Sequence, residues 1–300
     1  TDNAARPLAH WSLPALIRQN TTDTPAIYAP DDAASELLEI SDPMMIEAIE
    51  EVRKALAKSR PRPGKLRHWL TGALIVTTVL LAVFWLPGAL MRQTLAVVPF
   101  PKRVEIGTAM LGYMQPITGT ACRSRSADAA TTRFAQRLFG AETKSRIIIV
   151  PRLEQAALAL PGGIIVVDAA VLQRADDPAA AAGFILASRA AIIHMDPLEE
   201  LLRAAGLSTT FRLLTTGSIP EAILNENAQN LVTAQAPQPS ADSLRDMLAA
   251  AQIPQGPYRA ASDRRNGNTP DLGEDAMEGQ TVPLILNDSD WVTLRNTCNR

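Results

Sequence analysis

The sequence predicts an α+β protein in which a single transmembrane helix is followed by a mainly helical domain with a small β-sheet. Three patterns indicate this class. Residues 69–91 form one uncharged, apolar stretch. Residues 145–150 and 164–168 are short, largely β-branched runs, which are typical of buried strands. Residues 178–194 consist mostly of alanine and larger apolar residues, which is typical of a helix buried in a core.

Composition excludes one class of partner. The chain has 300 residues, which suffices for one or two domains with hydrophobic cores. Its formal net charge is −2, so no basic surface indicates binding to nucleic acid. The 47% of hydrophobic residues include the apolar stretch at 69–91.

Residues 1–68 are predicted to form a cytoplasmic segment with one amphipathic helix. Prolines interrupt every apolar run in the first 40 residues, so we expect extended loops with a short strand or a turn of helix. Such a segment is either a docking arm for a partner or a loosely ordered tail.

A helix is predicted at residues 43–58. Asp42 is a good N-cap, and Pro43 suits the first helical position. The apolar residues that follow recur at helical spacing on one face: Ile46, Ile49, Val52 and Leu56. This face packs either on the N-terminal segment itself or on a partner subunit.

The stretch from residue 69 to residue 91 predicts a membrane span. Its length matches the roughly 20 apolar residues that cross a bilayer core. Trp69 and Trp85 lie near its ends, where interfacial aromatic residues are common. Seven basic residues lie between 53 and 67, and fewer follow residue 91. The positive-inside rule then places residues 1–68 in the cytoplasm and the rest of the chain across the membrane. For a bacterial inner membrane, that compartment is the periplasm.

The remaining chain divides into a juxtamembrane connector at residues 92–121 and a domain at residues 122–300. Within this domain we expect a helix near 127–138, the two strands, the buried helix, and further helices at 197–205 and 244–251. Residues 260–283 are polar and are predicted to form a surface loop.

The turn Pro161-Gly162-Gly163 and the elements around it carry a family resemblance. The run Ala159-Leu160-Pro161-Gly162-Gly163, a strand, a short helix and then a buried helix follow one another. This order resembles the membrane-bound zinc metallopeptidases of the HtpX and CAAX-prenyl-protease type. The resemblance covers about residues 120–255 and implies a zincin-like domain. In such a domain the strand and the turn Pro161–Gly163 are candidates for binding an extended peptide.

The residues at the positions of the zinc signature have been replaced. The family carries His-Glu-x-x-His on the buried helix, and the resemblance places Ser188, Arg189 and Ile192 at the first histidine, the glutamate and the second histidine. Two imidazoles one helical turn apart hold zinc, and the glutamate takes a proton from the bound water. Serine, arginine and isoleucine do neither.

The third zinc ligand is replaced as well. In the family, a glutamate four residues before an aspartate completes the site. The matching residues here are Gln238 and Asp242. The three histidines of the chain, His10, His68 and His194, include no pair at ligand spacing. The resemblance therefore predicts a pseudoenzyme without a metal or another cofactor.

Two cysteines complete the resemblance. The tail from Asp288 to Cys298 resembles an Asp-x-x-Trp-x-x-Leu-Arg-x-x-Cys tail of bacterial members of the family. In an oxidising compartment we expect Cys298 to pair with Cys122, which joins the C-terminal helix to the start of the domain. The alternative is two free thiols.

These observations favour a catalytically inactive subunit or assembly factor of an inner-membrane protein complex. Its partners would be the lipid bilayer and other membrane subunits. An active membrane-anchored peptidase or hydrolase with an atypical site is the alternative, although His194 lies off the helical face of Ser188. A receptor-like sensor would need a cytoplasmic effector domain, which residues 1–68 do not supply.

Overall fold

The computed structural model describes residues 10–21, 23–59, 65–193, 195–235, 237–267 and 269–299. It contains helices and two small sheets, which confirms the predicted α+β class. The chain divides into two units, residues 1–79 and residues 80–300, which are described separately.

The first unit contains a small antiparallel sheet instead of loops alone. After a 3-10 turn at Leu13–Ala15, it comprises β1 (Ile17–Arg18), β2 (Ala26–Ala29), β3 (Leu38–Ile40) and the helix α1 (Pro43–Ser59). The strands pair in the order β1-β2-β3. With two to four residues each, they are too short to produce an alternating pattern in the sequence.

The predicted amphipathic helix is confirmed, and its apolar face packs within its own unit. The carboxylate of Asp42 accepts a hydrogen bond from Met44 N at 2.9 Å, as expected of an N-cap. Ile46 and Ile49 pack against a small core that includes the buried ring of Tyr28. Part of the apolar face is therefore covered by the N-terminal segment itself.

One helix is long and apolar enough to cross a membrane. It comprises α2 (Lys65–Leu80), a π-helical turn (Leu81–Trp85) and α3 (Leu86–Val97). Its 30 residues from His68 to Val97 include an 18-residue stretch with a mean hydropathy of 2.2. At about 1.5 Å per residue, this length exceeds the roughly 30 Å of a bilayer core. The helix continues six residues beyond the predicted end at Met91.

The second unit places helices on both sides of a three-stranded sheet. Its further elements are α4 (Phe100–Thr118), α5 (Arg125–Phe139), β4 (Arg146–Val150), β5 (Ala157–Leu160), β6 (Ile164–Asp168), α6 (Ala169–Arg174), α7 (Pro178–Ala191), α8 (Pro197–Thr216), α9 (Glu221–Thr233), α10 (Ala241–Ala250), α11 (Gln255–Asn266) and α12 (Asp288–Asn296). The strand order is β4-β6-β5, in which β4 runs parallel and β5 antiparallel to the central strand.

The alternation of side chains along the sheet produces two hydrophobic cores. Ile165 and Val167 belong to a core with α5, α7, α10 and α12. Ile164 and Val166 belong to a second core with α4, α8 and α9. Because both faces are covered, all five residues of β6 are buried, which explains its continuous run of apolar residues.

The segment predicted as a connector, residues 92–121, contributes a core helix. Residues on one side of α4, including Ile106, Met110 and Met114, are buried. A β-carbon built on Gly107 would overlap the carbonyl oxygen of Pro161. The turn Pro161–Gly163 is therefore in close contact with α4, and only a glycine allows this approach.

The alanine-rich helix is confirmed, with a different end. Asp177 caps α7 and Pro178 occupies its first turn. The helix ends at Ala191, before the predicted end near Met195. His194 lies outside the described residues.

The beginning of the predicted polar loop is also helical. α11 ends at Asn266, and its Tyr258 is buried against α7. A β-carbon on Gly183 would overlap the side chain of Tyr258. This tertiary contact explains why a polar sequence is helical here, because local propensity alone does not favour a helix.

Cys122 and Cys298 form a disulfide, with their Cα atoms 5.2 Å apart. The pairing expected from the family tail is confirmed. A second contact holds the same helix: the guanidinium of Arg133 donates to both oxygens of Asp290, at 2.7 and 2.5 Å. Asp290 is 6% exposed, and its hydrogen bonds with Arg133 hold its pKa below the ordinary value of 3.8. α12 is thus fixed to the start of the domain by one covalent and one ionic contact.

We expect Gly107→Ala to destabilise the second unit by about 1–3 kcal/mol, because the added methyl group forces α4 away from Pro161. Gly112→Ala is the matched control, since Gly112 lies on the same helix with open space around it. That substitution should stabilise the protein by about 0.5–1 kcal/mol. Thermal unfolding of both variants in the same detergent distinguishes these effects. Equal effects would contradict the close contact.

Acid should weaken the ion pair between Arg133 and Asp290, which holds α12 to the start of the domain. A carboxylate whose pKa is lowered in the folded state stabilises the fold above its unfolded pKa, and this contribution disappears as the pH falls below about 3.8. Asp290→Asn should abolish this part of the acid sensitivity, measured as the unfolding midpoint against pH. Asp288→Asn removes a carboxylate from the same helical turn without removing the pair with Arg133. This control should retain the wild-type profile.

Candidate functional site

A cleft of about 470 Å³ lies beside β5 in the second unit. Its size is within the usual range of about 300–1,000 Å³ for ligand pockets. Parts of β5, α7, α11 and the α9–α10 loop form its walls. The residues that line it are Glu154, Gln155, Ala156, Ala157, Phe184, Ala187, Ser188, Thr233, Ala234, Gln235, Pro237, Gln238, Pro239, Tyr258, Ser262, Arg265 and Pro270.

Ser188 and Gln238 both line this cleft, although 50 residues separate them in the sequence. Ser188 is half-buried in the last turn of α7, and Gln238 lies in the loop that follows α9. The structure therefore brings together the two positions that the resemblance assigns to the first and third zinc ligands.

The hydroxyl group of Ser188 is engaged by its own helix. Its Oγ donates to the carbonyl oxygen of Ile185 at 2.8 Å. A nucleophilic serine needs a base within hydrogen-bonding distance, and this contact directs the proton to a backbone acceptor instead. His194, the base considered from the sequence, lies outside the described residues.

The other two signature positions do not line the cleft. Arg189 is half-buried, and its side chain has no hydrogen bond or ion pair with another residue in the described part of the chain. Ile192 is the C-cap of α7, and its N–H group turns back to the carbonyl oxygens of Arg189 and Ala190. Among the described residues, no group of three or more His, Cys, Asp or Glu side chains could hold a metal ion.

One edge of β5 has no strand partner among the described residues. Asp168 N donates to Ala156 O, so the pairing with β6 uses the backbone groups of Leu158 and Leu160. The N–H and C=O groups of Ala157 and Ala159 then point away from β6. Within the described ranges, neither residue has a backbone partner on that side. The outer edge of β5 is therefore unpaired within the described residues. Ala157, on this edge, lines the cleft.

The turn Pro161–Gly163 lies apart from the cleft. Pro161 and Gly162 are buried, and a β-carbon on Gly162 would contact the backbone of Val104 in α4. The turn thus fixes the end of β5, and the strand itself contributes to the cleft wall.

The side chains of Gln155 and Arg265 fix the walls of the cleft through hydrogen bonds. No sequence motif points to either residue. Gln155 is 6% exposed, and its Nε2 donates to Leu231 O at 2.8 Å and to Ala234 O at 2.7 Å. These bonds fix the α9–α10 loop opposite β5. The Gln155 Oε1 atom is buried and has no partner in the described residues, so an acceptor remains free beside the cleft.

Arg265 connects α11 to the strands. Its guanidinium donates to Asp168 Oδ2 at 3.1 Å and to Glu154 O at 2.8 Å. Asp168 is 5% exposed and also caps α6, so Arg265 neutralises a buried carboxylate at the end of β6. Only the fold brings these residues together, since 97 residues separate them.

Tyr258 and Phe184 supply the aromatic wall of the cleft. Its ring packs edge-to-face on Phe184, with ring centroids 5.2 Å apart. Burial raises the pKa of its hydroxyl group above 10.0, so this group is a neutral hydrogen-bonding group at physiological pH. The cleft thus combines the aromatic rings of Phe184 and Tyr258 with amide and hydroxyl groups and with the charged residues Glu154 and Arg265.

We expect Arg265→Met to destabilise the second unit by about 3 kcal/mol, because Asp168 would remain buried without its cation. Arg264→Met is the matched control, since the neighbouring Arg264 is exposed and has no ion pair among the described residues. Chemical denaturation of both variants measures the difference. A loss of equal size in the control would show that the pair with Asp168 is not the cause.

Comparison with known proteins adds no family assignment. No protein-family model matches the chain, and no curated protein matches it in sequence. The resemblance to the HtpX and CAAX-prenyl-protease type of metallopeptidase therefore rests on the motifs of the chain itself.

Proposed function

We propose that this protein is a membrane-anchored, catalytically inactive relative of the zinc metallopeptidases that serves as an interaction subunit or assembly factor of an inner-membrane protein complex. The observation that carries the proposal is the cleft beside β5. Ser188 and Gln238 line it where the resemblance requires zinc ligands, and neither side chain is suited to bind zinc.

The unpaired edge of β5 supports a polypeptide as the ligand. An extended segment can add to an open strand edge through main-chain hydrogen bonds, and pockets beside the strand then select its side chains. The outward backbone groups of Ala157, which lines the cleft, provide hydrogen bonds, and the apolar wall at Phe184 and Tyr258 provides such a pocket. Retention of a bound segment without cleavage is the property expected of a scaffold subunit.

The proposed location is a bacterial inner membrane, with residues 1–68 in the cytoplasm and the domain that follows the span in the periplasm. The basic residues before the apolar helix support this orientation. The disulfide between Cys122 and Cys298 supports it independently, because disulfides persist in the periplasm and are rare in the cytoplasm.

Replacement of Ala157 by proline tests the strand edge. Proline removes the outward N–H group of Ala157, and the pairs of Leu158 and Leu160 with β6 are unaffected. We expect Ala157→Pro to weaken binding of the partner about tenfold or more, since one main-chain hydrogen bond to the partner is lost and the ring obstructs the edge. Ala157→Gly retains the N–H group and is the control.

The measurement is quantitative co-purification from the native membrane in mild detergent, with intact disulfide as the criterion of folding. A stoichiometric partner retained by the wild type and by Ala157→Gly, and lost with Ala157→Pro, would support the proposal. Equal retention by Ala157→Pro would place the partner elsewhere. Zinc in the purified protein together with proteolysis that chelators block would establish the active peptidase instead.

A further inference from the structure

We infer that α8, together with Ile193 and Met195 before it, forms a lipid-binding surface, through which the second unit lies on the membrane next to its own transmembrane helix. The occupant is the phospholipid leaflet on the side of this domain. The inference rests on the proposed membrane anchoring and extends it to a part of the fold that the sequence analysis did not connect with lipid.

The first observation is that four large apolar side chains are exposed on α8 and just before it. Leu207 is 48% exposed and Phe211 is 59% exposed, one helical turn apart on α8. Ile193 and Met195, in the segment between α7 and α8, are each 48% exposed. Single exposed apolar residues are normal on soluble proteins. Four of them on one helix and the segment that leads into it need a further explanation.

The second observation is that α8 packs on the end of the apolar helix. Thr94 of α3 is buried, and Met91 and Leu95 pack into the core to which α8 contributes Leu202 and Leu213. The uncharged stretch predicted to span the membrane ends at Met91. Because Met91 packs into the same core as α8, the packed side of α8 lies at the level where the apolar helix leaves the hydrocarbon core.

The third observation is a polar connection that fixes the N-terminus of α8 to the same helix end. Asp196 caps α8 by accepting from Leu198 N at 2.9 Å, and it forms an ion pair with Arg103. Arg103 also donates to the carbonyl oxygens of Leu95, at 2.6 Å, and Val98, at 3.3 Å. Met195 precedes Asp196 directly, so it is held close to the point where α3 ends.

The two sides of α8 differ as expected for a helix between a domain and a bilayer. After the break at Gly206, which has a φ angle of 82°, the buried side consists of Thr209, Thr210 and Leu213. Leu207 and Phe211 lie on the exposed side, and the exposed Arg212 follows them. Apolar side chains beside a basic residue match the boundary between acyl chains and anionic phosphate headgroups.

Site-specific photo-crosslinking tests the inference on the full chain in its native membrane. The photoreactive residue p-benzoylphenylalanine replaces Phe211 in one variant and Leu207 in a second. The matched control replaces Val292, which is 55% exposed on α12 in the same unit. After irradiation, the mass of the purified protein reports adducts with phospholipid. Formation of the Cys122–Cys298 disulfide shows that each variant has folded.

We expect phospholipid adducts at positions 211 and 207 and none above background at 292. Absence of lipid adducts at 211 and 207, or equal yields at 292, would overturn the inference. A protein adduct at 211 would also overturn it and would identify a protein surface there. Alkaline extraction of the same membranes separates the two proposals. A chain that resists extraction without adducts refutes only the lipid surface, whereas an extracted chain refutes the membrane anchor as well.

Discussion

The close approach of α7 and α11 at Gly183 and Tyr258 is the contact on which the geometry of the cleft depends. In α7, four alanines and a glycine follow Pro178, so the surface of the helix is flat enough for the Tyr258 ring to lie against its backbone. This contact positions α11, and Arg265 on α11 then reaches the end of β6 and the beginning of β5. The width of the cleft is thus determined by the absence of a side chain at Gly183, where even a methyl group would separate the helices.

The features that were predictable from the sequence are those with a strong local signal. The apolar stretch, the N-cap at Asp42, the alanine-rich helix and the strands β4 and β6 each produce their own pattern, and the structure contains all of them. The strand β5 before the glycine turn was not predicted. The sheet of residues 17–40, the core position of α4 and the helix α11 were not predicted. They depend on tertiary contacts, such as those of Tyr28 and Tyr258, which override weak or interrupted local preferences.

The residues of the cleft also divide into those with a local sequence signal and those that only tertiary contacts bring into place. The resemblance pointed to Ser188 and Gln238, and both line the cleft. Gln155 and Arg265, which fix its walls, lie in segments without a motif, and their roles arise from backbone carbonyl groups that fold into reach. A sequence pattern specifies side-chain types but not which main-chain groups remain unpaired. The edge of β5 and the free acceptor of Gln155 are therefore visible only in three dimensions.

The disulfide between Cys122 and Cys298 also determines how the molecule responds to mechanical tension. Cys122 follows α4 closely in the sequence, and Cys298 follows α12. A pull exerted on the C-terminal helix passes through a covalent bond to the chain that follows α4, so this covalent path bypasses α7 and α11. Tension applied at this end of the chain would therefore reach α4 and the apolar helix before it without passing through the main chain of the cleft walls.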